Sequence, residues 1–350
     1  MNDFAFQWHI TESCDQRCKH CYIYAQGSHA QFCEMPLADM ENVLENCLAF
    51  CRKAGRRPYF YLTGGDPLLH PQFWALAERL RERDLPFAIL GNPFHLTDEV
   101  CRRLRACGCR KYQLSLDGLR ETHDRIRRPG SYDATLAAIP LLRRAGIRVA
   151  VMATVSRWNH LEIPELIDVA VAHRADLFAF ARYCPSREDR DTLCSPQEYR
   201  ALLERCWEKF QRYEAQGCRT VFSRKDHLWT LFFYEKGLFD PGAYPADGLI
   251  HDGCGCANRH MTILSDGAVY ACRRMESRVG NALTDDLWTL FTGEAFDAFR
   301  RYDAFETCSN CELLRFCRGC PAVAAGCCGD PYAPDPQCWK EVAGWTPRPV

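Results

Sequence analysis

The stretch Cys14-Asp15-Gln16-Arg17-Cys18-Lys19-His20-Cys21 sets three thiols in C-x3-C-x2-C spacing directly after an apolar run, Phe4 to Ile10. The run reads as a buried strand, so the thiols fall on the loop that leaves it. Three thiols do not close a site. Structural zinc takes four protein ligands, and an ordinary 4Fe-4S cluster takes four thiolates. A cluster on three thiolates leaves one iron open to another ligand; zinc would need His20 or His9 as its fourth.

Outward from this loop, to about Gln216, short apolar runs alternate with amphipathic stretches, the pattern of repeated strand–helix units around a parallel sheet. Six strands are predicted, at Phe4 to Ile10, Tyr59 to Leu62, Phe87 to Leu90, Tyr112 to Leu116, Arg148 to Val155 and Leu177 to Ala181. In the first helix Met40, Val43, Leu44, Cys47, Leu48 and Cys51 recur at helical spacing and mark one buried face, which makes Cys47 and Cys51 core thiols. The last helix opens with Ser195, Pro196 and Glu198, a capping box with proline at the first helical position, and turns Leu202, Leu203, Cys206 and Phe210 inward.

Beyond Gln216 the alternation stops. An aromatic bridge, Asp226 to Phe239, leads to a glycine-rich and cysteine-rich tail with ten cysteines between Cys254 and Cys338 but few long apolar runs. Such a tail needs staples other than a large core, and metal is the obvious one. The expected division is a barrel-like domain over 1–216, a bridging region over 217–251 and a cysteine-rich domain over 252–350.

Composition agrees with this plan. The 350 residues exceed the ~150-residue domain prior about twofold, and 47% hydrophobic with 25% charged residues is ordinary for a globular chain. Lysine plus arginine (44) against aspartate plus glutamate (45) leaves a net charge of −1, with no global basic field for nucleic acid or anionic membrane. No apolar stretch of about 18 residues occurs, and no basic start precedes an apolar signal core, so a cytoplasmic protein is expected. In that reducing compartment 23 cysteines point to metal ligation, catalysis or plain packing rather than disulfides.

The cysteine loop resembles that of the radical SAM superfamily, whose C-x3-C-x2-C follows the first strand of a partial barrel. Two further segments support the resemblance. Thr63-Gly64-Gly65-Asp66-Pro67, at the end of the second strand, is similar to the family's glycine-glycine-acid-proline segment that contacts the amino group of S-adenosylmethionine, with Asp66 where glutamate is commoner. Glycines let backbone approach a ligand, and an acid suits an ammonium. At the end of the fourth strand, Gln113-Leu114-Ser115-Leu116-Asp117-Gly118 precedes His123-Asp124-Arg125-Ile126-Arg127. In related maturases a serine and an arginine so placed approach the cofactor's ribose and carboxylate, which the resemblance assigns to Ser115 and Arg127. All these segments follow strand ends, where parallel barrels place ligands.

The tail resembles the SPASM extension. It reads Cys254-x-Cys256, Asp266-Gly267-x4-Cys272, Cys308-x2-Cys311-x5-Cys317-x2-Cys320 and Asp335-Pro336-Gln337-Cys338. The resemblance implies two auxiliary 4Fe-4S clusters, Cys308, Cys311, Cys317 and Cys338 holding the outer one and Cys254, Cys272 and Cys320 the inner one. Cys256 is the candidate fourth inner ligand; Cys327, Cys328 or an iron left open to a substrate thiolate are alternatives. A zinc ribbon would space its cysteine pairs about 15 to 20 residues apart, against five between Cys311 and Cys317. Cys33, Cys101, Cys107, Cys109, Cys184, Cys194 and Cys218 are read as buried or incidental thiols.

The resemblance covers about Phe4 to Trp339. It implies a partial (β/α)6 TIM-like barrel of α/β class with a C-terminal SPASM domain, binding S-adenosylmethionine and three 4Fe-4S clusters. It implies reductive cleavage of the cofactor to a 5'-deoxyadenosyl radical that takes a hydrogen from substrate, with a flavodoxin or ferredoxin type reductant. The leading expectation is a maturase installing a thioether or carbon–carbon crosslink in a ribosomally made precursor peptide. Thirteen residues precede Cys14, so leader recognition is expected to need a separate protein or a different surface, such as that of Asp226, His227 and Trp229. An anaerobic sulfatase-maturating enzyme is the alternative, opposed by Arg273, a cation where those enzymes look for a proton-accepting aspartate after the cysteine matching Cys272. A non-enzymatic iron–sulfur electron carrier would leave Gly64, Gly65, Asp66 and Ser115 without purpose.

Overall fold

A computed structural model describes residues 3–24, 34–186 and 188–341. Cys33 lies outside them. Strand and helix alternate through the first two thirds: β1 (Asp3–Thr11), α1 (Leu37–Ala54), β2 (Arg57–Gly64), α2 (Phe73–Glu82), β3 (Phe87–Leu90), α3 (Asp98–Ala106) and β4 (Cys109–Ser115) come first. They are followed by α4 (Arg120–Ile126), α5 (Ser131–Arg144), β5 (Arg148–Val155), α6 (Ile163–Ala172), β6 (Leu177–Arg182), α7 (Pro196–Ala215), β7 (Val221–Ser223) and α8 (Leu228–Glu235). The tail adds β8 (His260–Ile263), β9 (Ala268–Tyr270), β10 (Arg278–Asn281), α9 (Leu287–Phe291), α10 (Glu294–Asp297) and α11 (Pro321–Cys328).

β1 shows why the sheet forms. Phe4, Phe6, Trp8 and Ile10 alternate onto the face that α1 covers and are buried, while Ala5 and Gln7 point the other way, half-buried. Both halves of the capping box at Ser195 form: Ser195 Oγ accepts the Glu198 N–H at 3.2 Å, and Glu198 Oε2 accepts the Ser195 N–H at 2.7 Å.

All ten strands join one sheet in the order β10-β9-β8-β1-β2-β3-β4-β5-β6-β7. Pairing is parallel from β8 to β7, and β9 and β10 add antiparallel hairpins at the edge. Since β7 and β10 are free edges, the barrel stays open on one side, a partial barrel of α/β class. The tail thus continues the barrel's own sheet, with Ala5 opposite His260. The six predicted strands are present; β4 starts earlier than its apolar part, because Gly108 (φ 99°) turns the chain into it. β7 to β10, three or four residues each, are too short to show a period.

The two parts share a core. Phe50 of α1 packs tilted against Phe4 and edge-on against Phe291, with ring centroids 4.6 and 5.2 Å apart. Asn46 donates to the carbonyls of Ala282 and Asp285 and accepts the Leu287 N–H. No described helix is long and apolar enough to cross a membrane.

Candidate functional site

The cysteine loop leaves the carboxyl end of β1 and carries Cys14, Cys18 and Cys21 half-buried. Its backbone is tied down: the Lys19 N–H reaches the Ile126 carbonyl at 2.9 Å, and Gln16 Nε2 reaches Ser131 Oγ at 3.1 Å. Arg127 lies against it, with Nη1 3.6 Å from Cys18 Sγ and Nε 2.6 Å from Asp117 Oδ2. Two donors of this guanidinium are therefore already engaged. Asp117 is wholly buried and also faces His20, 3.5 Å away. Burial opposes its charge, but Arg127, His20 and His123 together hold its pKa below the usual range. Burial drives His20 down to about 4, leaving it neutral.

Gly64 and Gly65 owe their identity to the chain itself. A Cβ on Gly64 would lie 1.9 Å from the Thr11 carbonyl oxygen, and one on Gly65 2.0 Å from that of Ser13. The glycines let the end of β2 pass under the cysteine loop, where the N–H groups of Gly65 and Asp66 bond to those carbonyls at 2.9 and 2.8 Å. Pro67 then starts a short 3-10 turn capped by Asp66 Oδ1. Asp66 is fully buried, its Oδ2 has no hydrogen-bond partner, and burial raises its pKa to about 6. Asp15 and His95 stand beside it, ligand atoms all within 4.8 Å of one another. Ser115 ends β4, half-buried.

The tail thiols form two groups. Cys308, Cys317 and Cys338 are mutual charge neighbours, and Cys311 joins them through Cys308 and Cys338. Cys254, Cys256, Cys272 and Cys320 form the second group. The structure adds Cys184, whose thiol hydrogen-bonds with that of Cys320. Cys327 instead faces Cys328, Asp335, Arg190 and Asp189. The Gln16 N–H reaches Cys14 Sγ at 3.4 Å, and the main-chain N–H two residues past Cys254, Cys272, Cys311, Cys317 and Cys338 lies near enough to each sulfur to favour its thiolate. Such donors stabilise thiolate sulfur. The helical core thiols Cys47, Cys51, Cys101 and Cys206 show no such bond among their strongest interactions.

The donor sets fit the implied groups. Tetrahedral zinc, with Zn–S near 2.3 Å, would hold sulfurs about 3.8 Å apart. Among the described residues no three cysteine sulfurs come within 4.8 Å of one another, wider than that zinc geometry. The unpartnered buried oxygen of Asp66 suits an ammonium.

Between the cysteine loop and the tail the barrel interior is cationic. Arg273 lies over the Tyr22 ring, 4.9 Å from its centroid. Lys225 is exposed at the surface, and the protein crowding around it, with Arg274 and Lys111, pushes its pKa down to about 8. His260, lowered to about 4 chiefly by burial, is neutral beside them. Cys184, Arg274, Asp117 and Lys225 escape the sequence reading. The one local signal is that Arg274 stands two residues past Cys272.

Residues 8–170 match the model of the radical SAM superfamily, and 254–312 that of SPASM, an iron–sulfur cluster-binding domain. The chain is 25% identical to the AdoMet-dependent heme synthase of Methanosarcina barkeri over 95% of both chains. It is 27% identical to the mycofactocin maturase MftC of Mycolicibacterium smegmatis over 97% of this chain and 82% of that one. Streptococcus suis SuiB, crystallised with S-adenosylmethionine, superposes with a TM-score of 0.75 at 17% identity, covering 97% of this chain and 77% of SuiB; with its precursor peptide SuiA bound the score is 0.73. The thiol loop at the end of β1, the glycine crossing beneath it and the two thiol groups of the tail thus belong to a radical SAM enzyme with a C-terminal SPASM domain, and the chain is a member of that superfamily.

Proposed function

We propose that this enzyme matures a ribosomally made peptide by installing a thioether or carbon–carbon crosslink. The observation that carries this reading is the similarity to the mycofactocin maturase along nearly the whole chain. When bound, the cluster and S-adenosylmethionine supply the 5'-deoxyadenosyl radical that takes a hydrogen from the substrate.

The chain's residues do the holding. Cys14, Cys18 and Cys21 ligate the first cluster, and Arg127 balances its charge from Cys18 while keeping Asp117 ionised. Asp66 takes the cofactor's ammonium on its free oxygen, on a backbone shaped by Gly64, Gly65 and Pro67. Ser115 sits at the adjoining strand end for the ribose. In the tail Cys308, Cys311, Cys317 and Cys338 hold the outer auxiliary cluster, while Cys254, Cys272 and Cys320 hold the inner one, making three 4Fe-4S clusters in all. The barrel over 1–216, the bridge over 217–251 and the SPASM domain over 252–350 are the corresponding units. A separate leader-binding protein and a flavodoxin or ferredoxin reductant in the cytoplasm complete the proposal.

The test is intact-mass analysis of a short cysteine-containing peptide encoded beside this protein, co-produced anaerobically with wild type or Cys14→Ala. Loss of two hydrogens per crosslink with wild type alone is the expected result. An unchanged peptide in both samples would overturn the reading.

The cationic interior favours a second reading. Lys111, Lys225, Arg273 and Arg274 suit a carboxylate-bearing substrate, and the Methanosarcina relative is named a heme synthase. Anaerobic turnover of an iron porphyrin carrying carboxylates, with the peptide unchanged, would select it.

A further inference from the structure

Cys184 stands two residues past the end of β6, in the barrel half of the chain. Its neighbours belong to the tail. It packs against the small apolar cluster that contains Cys320, as Cys272 also does, and its thiol meets that of Cys320. Beside these thiols lies the solvent-exposed Arg274, whose Nη1 reaches the Arg182 carbonyl at 3.4 Å. The guanidinium's strongest charge partners are Cys184, Cys320, Cys272 and Cys254. Four thiols from two parts of the chain thus face one guanidinium. Cys256 borders the same group, but it is not among the strongest charge partners of Arg274.

We propose that the inner cluster is held by Cys184, Cys254, Cys272 and Cys320, so that the barrel itself supplies one of the four thiolates. The proposal rests on the auxiliary-cluster reading above and completes its ligand set. Each thiol gives up its proton to solvent on ligation. The cluster then clips the loop after β6 to the tail, next to the barrel interior, and leaves no iron open for a substrate thiolate.

The test counts iron and acid-labile sulfide in the anaerobically reconstituted full chain and records EPR spectra of the reduced protein. Cys184→Ala should fall from about twelve irons to about eight and lose one auxiliary signal, as Cys254→Ala should, while Cys256→Ala keeps both. Cys184→Ser, which preserves volume and offers oxygen, should retain iron with shifted g values for that signal. Wild-type iron and wild-type g values in both Cys184 variants, or the loss appearing in Cys256→Ala instead, would overturn the assignment. A wild type holding about eight irons that Cys254→Ala leaves unchanged would instead remove the inner cluster, and the auxiliary-cluster reading with it.

Discussion

The two cysteine-bearing regions use opposite construction. In the barrel, Cys14, Cys18 and Cys21 hang on a loop held by β1, β2 and α4 through backbone bonds such as Gly65 N–H to Thr11 and Lys19 N–H to Ile126. That scaffold is complete without its thiols. In the tail, Thr307 to Cys320 contains only a three-residue turn, and the thiols lie where a core would otherwise be. There the thiols proposed as ligands are the scaffold, so metal binding and folding should be coupled. The difference teaches that one residue type can be cargo-holding in one half of a chain and structural in the other.

The largest effect should separate the two. Cys14→Ala should abolish 5'-deoxyadenosine formation while auxiliary iron and thermal stability stay near wild type, measured by product chromatography, iron content and thermal unfolding. Cys311→Ala should do the reverse: cofactor cleavage persists, mature product is lost, and the melting temperature falls. Equal stability loss in both variants would break the contrast.

Arg182 joins the two regions. Its Nε meets Asp226 at 2.9 Å and its Nη1 meets Asp335 at 2.7 Å, all three side chains buried. Asp335 Oδ2 in turn accepts the N–H of Cys320 at 2.8 Å. Arg182→Met leaves two buried carboxylates unpaired and should cost about 3–5 kcal/mol in denaturant unfolding. A loss under 1 kcal/mol would mean that the tail docks through its apolar contacts alone.

Legibility in the sequence followed the length of the signal. The six long strands, the α1 face of Met40, Val43 and Leu44, and the Ser195 cap were readable because each is a local pattern. Strands β7 to β10 were not, since three or four residues carry no period, and the pairing of β8 with β1 is a tertiary fact. The thiol spacings separated the outer set from the barrel loop. Cys184 could not be found that way, because its partners Cys320 and Arg274 are remote in sequence and no spacing rule spans the gap. The glycines at 64 and 65 were readable as a close backbone approach, but what approaches them is the chain's own Thr11 and Ser13 carbonyls.

The smallest expected effect belongs to Asp66, the one carboxylate of the barrel site left with an unpartnered oxygen. Its folded pKa of about 6 lies above its ordinary value of 3.8, burial being the main cause. The folded protein therefore binds more protons than the unfolded chain between those values, and without cofactor its stability should fall as pH rises through that window. Asp66→Asn should flatten this slope in denaturant titrations at pH 4 to 6.5. Cofactor binding should show the opposite trend: an ammonium needs the ionised acid, so wild-type affinity for S-adenosylmethionine should rise as pH passes 6. The variant should bind more weakly by about 1.5–3 kcal/mol, the worth of a hydrogen bond to a charged group, and without that pH dependence. Calorimetry at two pH values decides it, and a variant that keeps the wild-type pH trend would place the titrating group elsewhere.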